Sequence, residues 1–281
     1  VERFKERIIF PINTISGQPI ALGGRIMKND SYLAKYINSP ETQFFKKGNN
    51  LYNIDRARKL SNKINQIFLV EGYMDVISLN NRGIENCVAN LGTALTERQI
   101  AILNQFFNEI VICFDGDESG YKAAVRAAEN SIKELKPEKQ ISFLFLPDNE
   151  DPDTFISKNG KEKFLKYYET NKILIHEFLF DNLKKQSNSS PTSQAILEKK
   201  LRFISNTIKD QYIKKYVLEF FLGKISELTP NLSKDKQFTI KHVASLSATK
   251  QIYNETISIT KEQLQEFSIF YLIINNFNFF K

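Results

Sequence analysis

The chain has 281 residues, and its 39 Lys and Arg against 32 Asp and Glu give a formal net charge of +7. A chain of this length is usually too long to fold around a single hydrophobic core, so we expect two or more lobes. The two cysteines, Cys87 and Cys113, lie in separate apolar runs, which excludes a disulfide scaffold and a zinc ribbon. No apolar run reaches the ~18 residues of a membrane span. We therefore expect a globular, cytoplasmic protein with no membrane association.

The charge is distributed in three unlike blocks. Residues 1–63 hold 12 basic and 5 acidic side chains, residues 64–155 hold 7 and 15, and residues 156–281 hold 20 and 12. An acidic block between two basic ones suits a site where carboxylates hold metal and flanking cations neutralise phosphates. The same charges could also be ordinary solvated surfaces, so the individual carboxylates must decide.

Residues 1–63 are predicted to form a basic, mixed and β-rich lobe, incomplete at its start. Strand-like segments occur around Phe10–Ile12 and Ile20–Ile26, and a turn at Ser16–Pro19 separates them.

From residue 64 to residue 153 the pattern alternates between strand and helix. Short apolar runs predict four strands, and amphipathic segments predict the three helices between them. The order β-α-β-α-β-α-β favours an α/β fold, a Rossmann-like and mostly parallel sheet with helices on both faces. The predicted strands are 67–70, 87–89, 110–114 and 141–145, and the predicted helices are 75–82, 96–107 and 120–135.

Beyond Pro152 the sequence predicts helices only. We expect a helical subdomain over residues 154–226, with helices at about 154–184 and 192–226. Residues 227–281 are expected to hold an exposed connection at 228–240 and a helix near 261–277.

Acidic residues follow three of the predicted strands. Because ligands of open parallel sheets bind beyond the carboxyl ends of the strands, these side chains are candidates for a common site. Like charges gathered there would repel one another unless cations lie among them, and oxygen ligands favour Mg²⁺ or Mn²⁺. Each acid alone could instead be a helix cap or part of a turn. The candidates are Glu71 after the first strand, Asp115 and Asp117 after the third, and Asp151 and Asp153 after the fourth.

Other chemistries fit the sequence less well. The Asp115-x-Asp117 segment begins like a calcium-binding EF-hand loop, but its twelfth position is Arg126 rather than Glu. An Asp-x-Asp segment after a strand is also found in phosphatases with an aspartyl nucleophile. The acidic residue after a preceding strand, Glu71, fits that class of enzyme poorly. No P-loop string occurs. The two histidines, His176 and His242, lie in predicted helices and loops, where capping or solvated roles are favoured.

Glu71 followed 44 residues later by Asp115-x-Asp117 resembles the Toprim signature of primases, topoisomerases and some nucleases. Further strings resemble the RNA polymerase core of bacterial DnaG-type primase, in family order over about residues 3–225. These strings are Arg7–Ile12, Gly23-Gly24-Arg25, Tyr36–Thr42, Phe45–Gly48, Glu71–Asp75 and Glu150–Asp153.

The resemblance implies a nucleotidyltransferase that makes short RNA primers on single-stranded DNA from nucleoside triphosphates. It implies catalytic roles for Glu71, Asp115 and Asp117, and metal binding by these three together with Asp151 and Asp153. Asp75 would be a supporting acid. Whether Glu71 completes the metal coordination or moves a proton is open. The family's basic nucleotide- and template-binding positions fall on Arg7, Arg25, Lys35 and Lys47.

The resemblance also implies cofactors and partners. We expect Mg²⁺ or Mn²⁺ here, with zinc only in an amino-terminal module that this sequence does not contain. The family implies a replicative helicase and single-strand binding protein as partners, a monomeric chain, and work at replication forks in the nucleoid.

Two competing functions remain. A Toprim nuclease would use the same acids to cut a phosphodiester, but it would not need the basic β-rich lobe. A noncatalytic recombination mediator that binds DNA would not need all five acids.

Overall fold

The computed structural model describes residues 2–27, 33–147, 149–228 and 260–275. The chain forms two compact units, residues 1–228 and residues 229–281. At the amino-terminal end of the first unit, three antiparallel strands form a small sheet in the order β1-β2-β3. These strands are β1 Arg7–Asn13, β2 Pro19–Ile26 and β3 Tyr36–Asn38.

A five-stranded sheet follows, in the order β5-β4-β6-β7-β8. The first four strands in this order are parallel, and β8 is an antiparallel edge strand. The mostly parallel sheet predicted from the alternating pattern is therefore confirmed. The strands are β4 Gln66–Val70, β5 Cys87–Ala89, β6 Glu109–Phe114, β7 Gln140–Phe145 and β8 Ile173–Leu174.

Several helices begin after a residue whose side chain caps them. Thr96 accepts a hydrogen bond from the Gln99 amide (3.2 Å) and the Gln99 side chain accepts one from the Thr96 amide (3.0 Å), which forms a capping box. The helices are α1 Ile54–Ala57, α2 Tyr73–Asn81, α3 Glu97–Phe106, α4 Glu118–Ser131, α5 Pro152–Asn171, α6 Ile175–Lys185, α7 Pro191–Thr207, α8 Gln211–Leu228 and α9 Lys261–Asn275.

The prediction of helices only after Pro152 is wrong at β8, and each of the two expected helices is divided. The expected helix 154–184 is divided by β8, which pairs with β7, and its first part is kinked at Gly160 (φ 76°). The expected helix 192–226 is two helices, because Asp210 caps a new one by accepting hydrogen bonds from the amides of Tyr212 (3.0 Å) and Ile213 (2.9 Å).

Both faces of the large sheet are buried. Alternate residues of β4 enter different cores: Ile67 and Leu69 pack beneath α3, α4 and the helices from α6 to α8, while Phe68 and Val70 pack beneath α2 and α5. Burial on both faces explains why the central strands are continuous apolar runs rather than alternating ones. The sheet is thus a rigid layer whose carboxyl edge is free to carry polar groups.

Tyr73, the first residue of α2, joins the small sheet to the large one. Its ring stacks on Phe10 (centroids 5.1 Å apart) and contacts Tyr52 edge-on (4.8 Å), and its hydroxyl donates a 2.5 Å hydrogen bond to Asn38 Oδ1. Asn38 in turn donates to the Leu91 carbonyl (2.8 Å). The basic amino-terminal sheet is therefore held at the start of the helix that follows β4.

The second unit contributes α9 to the described residues. Phe267, Phe270 and Ile274 of this helix are exposed. Most of the predicted connection 228–240 lies outside the described residues, and Leu228 is the last residue of α8. None of the described helices is long and apolar enough to cross a membrane.

A Gly23→Ala substitution is expected to destabilise the protein. A Cβ atom at Gly23 would lie 2.8 Å from the Tyr73 ring, which cannot move because Phe10 and Tyr52 hold it. We expect the free energy of unfolding to fall by about 1–3 kcal/mol in chemical denaturation. The matched control is Gly223→Ala, on the exposed side of α8, where a Cβ atom has nothing within 4 Å and a gain of up to ~1 kcal/mol is expected. Equal stability of the two variants would contradict the account of this joint.

Candidate active site

Three neighbouring strands deliver acidic residues to one edge of the large sheet. Glu71 directly follows β4, Asp115 directly follows β6, and the chain leaving β7 reaches Asp151 after a short loop. Because β4, β6 and β7 are parallel and adjacent, their carboxyl ends lie side by side. The convergence expected from the sequence therefore follows from the observed strand order.

Gly116 fastens the loop after β6 to the loop after β7. Its amide donates a 3.0 Å hydrogen bond to the Glu150 carbonyl, and its carbonyl accepts one of 3.1 Å from the Asn149 amide. A Cβ atom at Gly116 would lie 1.9 Å from the Pro147 carbonyl oxygen, so only glycine allows this approach. The pair Asp115 and Asp117 is thereby held against the segment that leads to Asp151.

Three of the acids are oriented through one carboxylate oxygen each. Asp117 Oδ1 caps α4 by accepting from the Gly120 amide (2.7 Å), and Asp151 Oδ1 caps α5 by accepting from the Thr154 amide (2.7 Å). Asp153 Oδ1 accepts from the Ser78 hydroxyl on α2 (2.5 Å). Within the described ranges the Oδ2 atom of each has no hydrogen-bond partner. The cap interpretation is thus correct for Asp117 and Asp151, and it leaves an oriented oxygen available on each.

Asp115 lies in an environment that disfavours its charge. Its Oδ1 is buried and has no hydrogen-bond partner in the described part of the chain. Burial, followed by the charges of Glu71, Asp151 and Asp117, raises the pKa of Asp115 to about 7. A buried carboxylate oxygen without a donor suits a cation ligand, because a cation would supply the missing positive charge.

Asp75 and Glu71 share this environment. Burial raises the pKa of Asp75 to about 7, with further contributions from the charges of Asp115 and Asp151, although Asp75 Oδ2 accepts a hydrogen bond from the Gly72 amide (2.9 Å). Partial burial and the charge of Asp117 raise the pKa of the Glu71 carboxyl. Asp75 therefore closes the first turn of α2 and lies within electrostatic reach of Asp115 and Asp151.

The acids fit a divalent cation by their chemistry. They offer oxygen ligands only, and their mutual repulsion would be relieved by positive charge, as Mg²⁺ or Mn²⁺ sites require. Among the residues that the structure describes, no three acidic, histidine or cysteine side chains already surround one point closely enough to hold an ion. Small side-chain rotations of the free oxygens would be needed to complete a coordination sphere.

The four predicted basic residues have different surroundings. Arg7 Nη1 donates to the carbonyls of Ala34 (2.8 Å) and Lys35 (3.4 Å), so Arg7 secures the segment before β3. Arg25 and Lys35 both lie over the ring of Tyr36, at 5.7 and 5.8 Å from its centroid. Lys47 belongs to a short turn, and the Lys47 amide donates a hydrogen bond to Glu41 Oε1 (2.8 Å).

Tyr36 connects the cationic side chains with the acids. Burial raises the pKa of the Tyr36 hydroxyl, Arg25 opposes this increase, and the charges of Asp75, Asp153 and Asp151 add to it. Tyr36 therefore lies within electrostatic reach of both groups. Arg25 and Lys35 are thus placed at an aromatic ring that the charges of three acids also reach.

Several site residues were not identified from the sequence. Gly116 lies inside the Asp-x-Asp segment, where a glycine between two site acids could have suggested a close backbone approach. Ser78 orients Asp153 from 75 residues away, and the sequence carries no local signal of that contact. Tyr36 was noted only as part of a family string, although an aromatic residue beside Lys35 is typical of nucleic-acid surfaces.

The raised pKa of Asp115 predicts a pH-dependent stability without divalent cations. The folded state holds the Asp115 proton more tightly than the unfolded chain does, so stability should fall as pH rises from about 4 to about 7. Asp115→Asn should therefore unfold at a higher temperature than the unaltered chain at pH 8 and at a similar temperature near pH 4. Thermal unfolding in a chelator measures both, with the exposed Glu138→Gln as surface control. A variant that is less stable at pH 8 would contradict the electrostatic account.

Comparison with known proteins gives a consistent family. Residues 1–58 match the model of the DNA primase catalytic core, N-terminal domain, and residues 68–156 match a Toprim-like model. DNA primase of Escherichia coli K12 is 42% identical over 197 residues, which cover 70% of this chain and 33% of that protein. The chain thus spans about a third of the length of this curated relative.

Solved structures agree with this result. The E. coli primase catalytic core superposes with a TM-score of 0.75 at 38% identity, covering 79% of this chain and 71% of the other. A DnaG primase catalytic domain bound to single-stranded DNA superposes with a TM-score of 0.72 at 37% identity, covering 78% of this chain and 70% of the other. With both parts of the catalytic core matched in order and the acids on the expected strand ends, the chain belongs to the DnaG-type DNA primase family.

Proposed function

We propose that this chain is the catalytic core of a DNA primase, a DNA-directed RNA polymerase that makes short RNA primers on single-stranded DNA. The observation that carries this proposal is the set of carboxylate oxygens at one sheet edge that have no hydrogen-bond partner among the described residues. Tyr36 of the amino-terminal sheet is within electrostatic reach of these acids and of Arg25. The related DnaG domain solved with single-stranded DNA supports the choice of template.

The acids would act on the reacting phosphate through metal. Two divalent ions, Mg²⁺ or Mn²⁺, would stabilise the charge that develops on the attacking and leaving oxygens of an in-line displacement. Asp115 and Asp117 would hold metal at the end of β6, and Asp151 and Asp153 would do so at the start of α5. Glu71 would either complete the coordination or take the proton of the attacking 3′ hydroxyl. Asp75 would support the group by holding the first turn of α2.

The basic residues of the amino-terminal lobe would hold the polyanionic reactants. Arg25 and Lys35 lie over the Tyr36 ring and make no salt bridge among the described residues, so their charges are available for triphosphate or template phosphates. Lys47 lies in a short turn. The Gln99 side chain, at the start of α3, donates a 3.2 Å hydrogen bond to the Lys47 carbonyl and so ties this turn to α3. Arg7 would act indirectly, by fixing the segment that carries Lys35.

The wider assignment follows from the family. We propose a basic amino-terminal lobe over residues 1–63, the Toprim catalytic domain over 64–153, a helical subdomain over 154–226 and a linker with a helix over 227–281. The replicative helicase and single-strand binding protein would be its partners at replication forks in the nucleoid. The nuclease alternative is less favoured because the chain also matches the primase amino-terminal domain, and the mediator alternative is less favoured because all five acids are present.

The direct experiment is product analysis. The purified chain, Mg²⁺ or Mn²⁺, labelled nucleoside triphosphates and single-stranded DNA should yield short RNA. Shortened DNA without RNA would support the nuclease, and binding without any product would support the mediator.

Removing one charge from the acids should abolish synthesis without unfolding the chain. We expect Asp117→Asn and Glu71→Gln each to reduce RNA synthesis by at least ~100-fold, because each removes a metal ligand or proton acceptor. Circular dichroism and thermal unfolding should show an intact fold. The exposed Glu85→Gln is the matched control and should retain full activity. Full activity in either site variant, or its loss through unfolding, would contradict these roles.

Lys35 and Lys47 are expected to contribute phosphate contacts to template binding. The logarithm of the binding constant for single-stranded DNA should fall linearly with the logarithm of salt concentration, and each lost contact should reduce the slope by about 0.7. Fluorescence anisotropy of labelled oligonucleotides measures this slope for Lys35→Ala and Lys47→Ala, with the exposed Lys163→Ala on α5 as control. If affinity and slope were unchanged in both variants, the template would have to bind elsewhere.

A further inference from the structure

A cavity of about 450 Å³ lies between the amino-terminal turn of α4 and α6, on one side of the acids. This volume is within the range of pockets that hold small molecules, about 300–1,000 Å³. Its polar wall includes Asp115 and Asp117, and its opposite wall is formed by Tyr121, Phe145, Phe178 and Lys185. The roles proposed above for the acids and the basic residues involve none of the residues of this second wall.

The apolar part of the cavity is an ordered aromatic shelf. Tyr121 and Phe145 lie 5.9 Å apart between ring centroids with 33° between their planes. Phe145 itself stacks on both Phe178 and Phe114, each with its centroid 5.5 Å away, so Phe145 supports Tyr121 and offers no open face of its own. The Tyr121 hydroxyl donates a 3.0 Å hydrogen bond to Oδ1 of the buried Asn182, which fixes the ring. Tyr121 and Phe145 are only half-buried, so part of each ring borders the cavity.

Lys185 brings an unneutralised positive charge to the shelf. Its Nζ lies 5.4 Å from the centroid of the Tyr121 ring. Asp181 is one helical turn earlier and also borders the cavity, yet no carboxylate of the described residues lies within 4.0 Å of Lys185 Nζ. An exposed lysine over an aromatic ring, next to acids that suit metal ions, matches the parts of a nucleotide: a flat base and a phosphate.

We propose that this cavity is a nucleotide subsite in which the base stacks on Tyr121 and Lys185 contacts a phosphate. The proposal rests on the proposed function, because it assigns one of the two reacting nucleotides to a place beside Asp117. The nucleotide is either the incoming triphosphate or the 3′-terminal nucleotide of the primer. Both present the same chemistry to the shelf, and kinetics separates them.

The test uses primer extension by the full chain with Tyr121→Leu and Lys185→Gln. One Michaelis constant should rise by about tenfold in each variant, while kcat stays within about twofold. A rise for the triphosphate assigns the subsite to the incoming nucleotide, and a rise for the primer assigns it to the primer end. Lys184→Gln is the matched control on the neighbouring residue of α6, and Tyr121→Phe should preserve stacking. Unchanged constants in a folded Lys185→Gln and in Tyr121→Leu would overturn the proposal.

A binding measurement separates this proposal from the proposed function. The 5′-triphosphate of 2-aminopurine riboside, whose fluorescence is quenched on stacking, should be quenched by the unaltered chain and by Tyr121→Phe. Quenching should be about tenfold weaker at equal concentration in Tyr121→Leu. Quenching that depends on Tyr121 in a chain that makes no RNA would overturn the proposed function but support the subsite. RNA synthesis without quenching of either this triphosphate or a primer that carries 2-aminopurine at its 3′ end would overturn the subsite alone.

Discussion

Two backbone hydrogen bonds at Gly116 determine how the acidic edge of the sheet is built. They join the loop after β6 to the loop after β7, and they form only because no side chain separates Gly116 from the Pro147 carbonyl. The joined loops carry Asp115, Asp117 and Asp151, and burial together with the neighbouring carboxylates raises the pKa of Asp115. A net gain of about 0.5–1.5 kcal/mol per hydrogen bond is small, so the buried sheet beneath must supply most of the support.

The same local contacts that stabilise the fold also orient the site. Asp117 and Asp151 cap α4 and α5 with one oxygen each and leave the other oxygen without a partner in the described ranges. Structural and functional roles therefore do not compete for the same atom. Tyr73 also has two roles. It is the first residue of α2, and its contacts with Phe10 and Asn38 hold the amino-terminal sheet at the start of that helix.

Much of this arrangement was predictable from the sequence, because its signals are local. Continuous apolar runs located β4, β6 and β7, and acids directly after them located Glu71 and Asp115. The two-residue strand β8 could not be found, since Ile173 and Leu174 continue an apolar helical pattern and become a strand only by pairing with β7. The role of Arg7 was equally hidden, because it bonds to backbone carbonyls about 27 residues away. Long-range contacts of this kind leave no local pattern.

The free oxygens at the sheet edge are expected to bind divalent cations. Titration of the metal-free chain with Mn²⁺, followed by electron paramagnetic resonance of the unbound ion, measures this binding directly. We expect binding by the unaltered chain, competition by Mg²⁺, and weakening of at least about tenfold when Asp115 and Asp117 are both replaced by Asn. Equal Mn²⁺ binding by the unaltered chain and the double variant would show that these acids do not hold the ions.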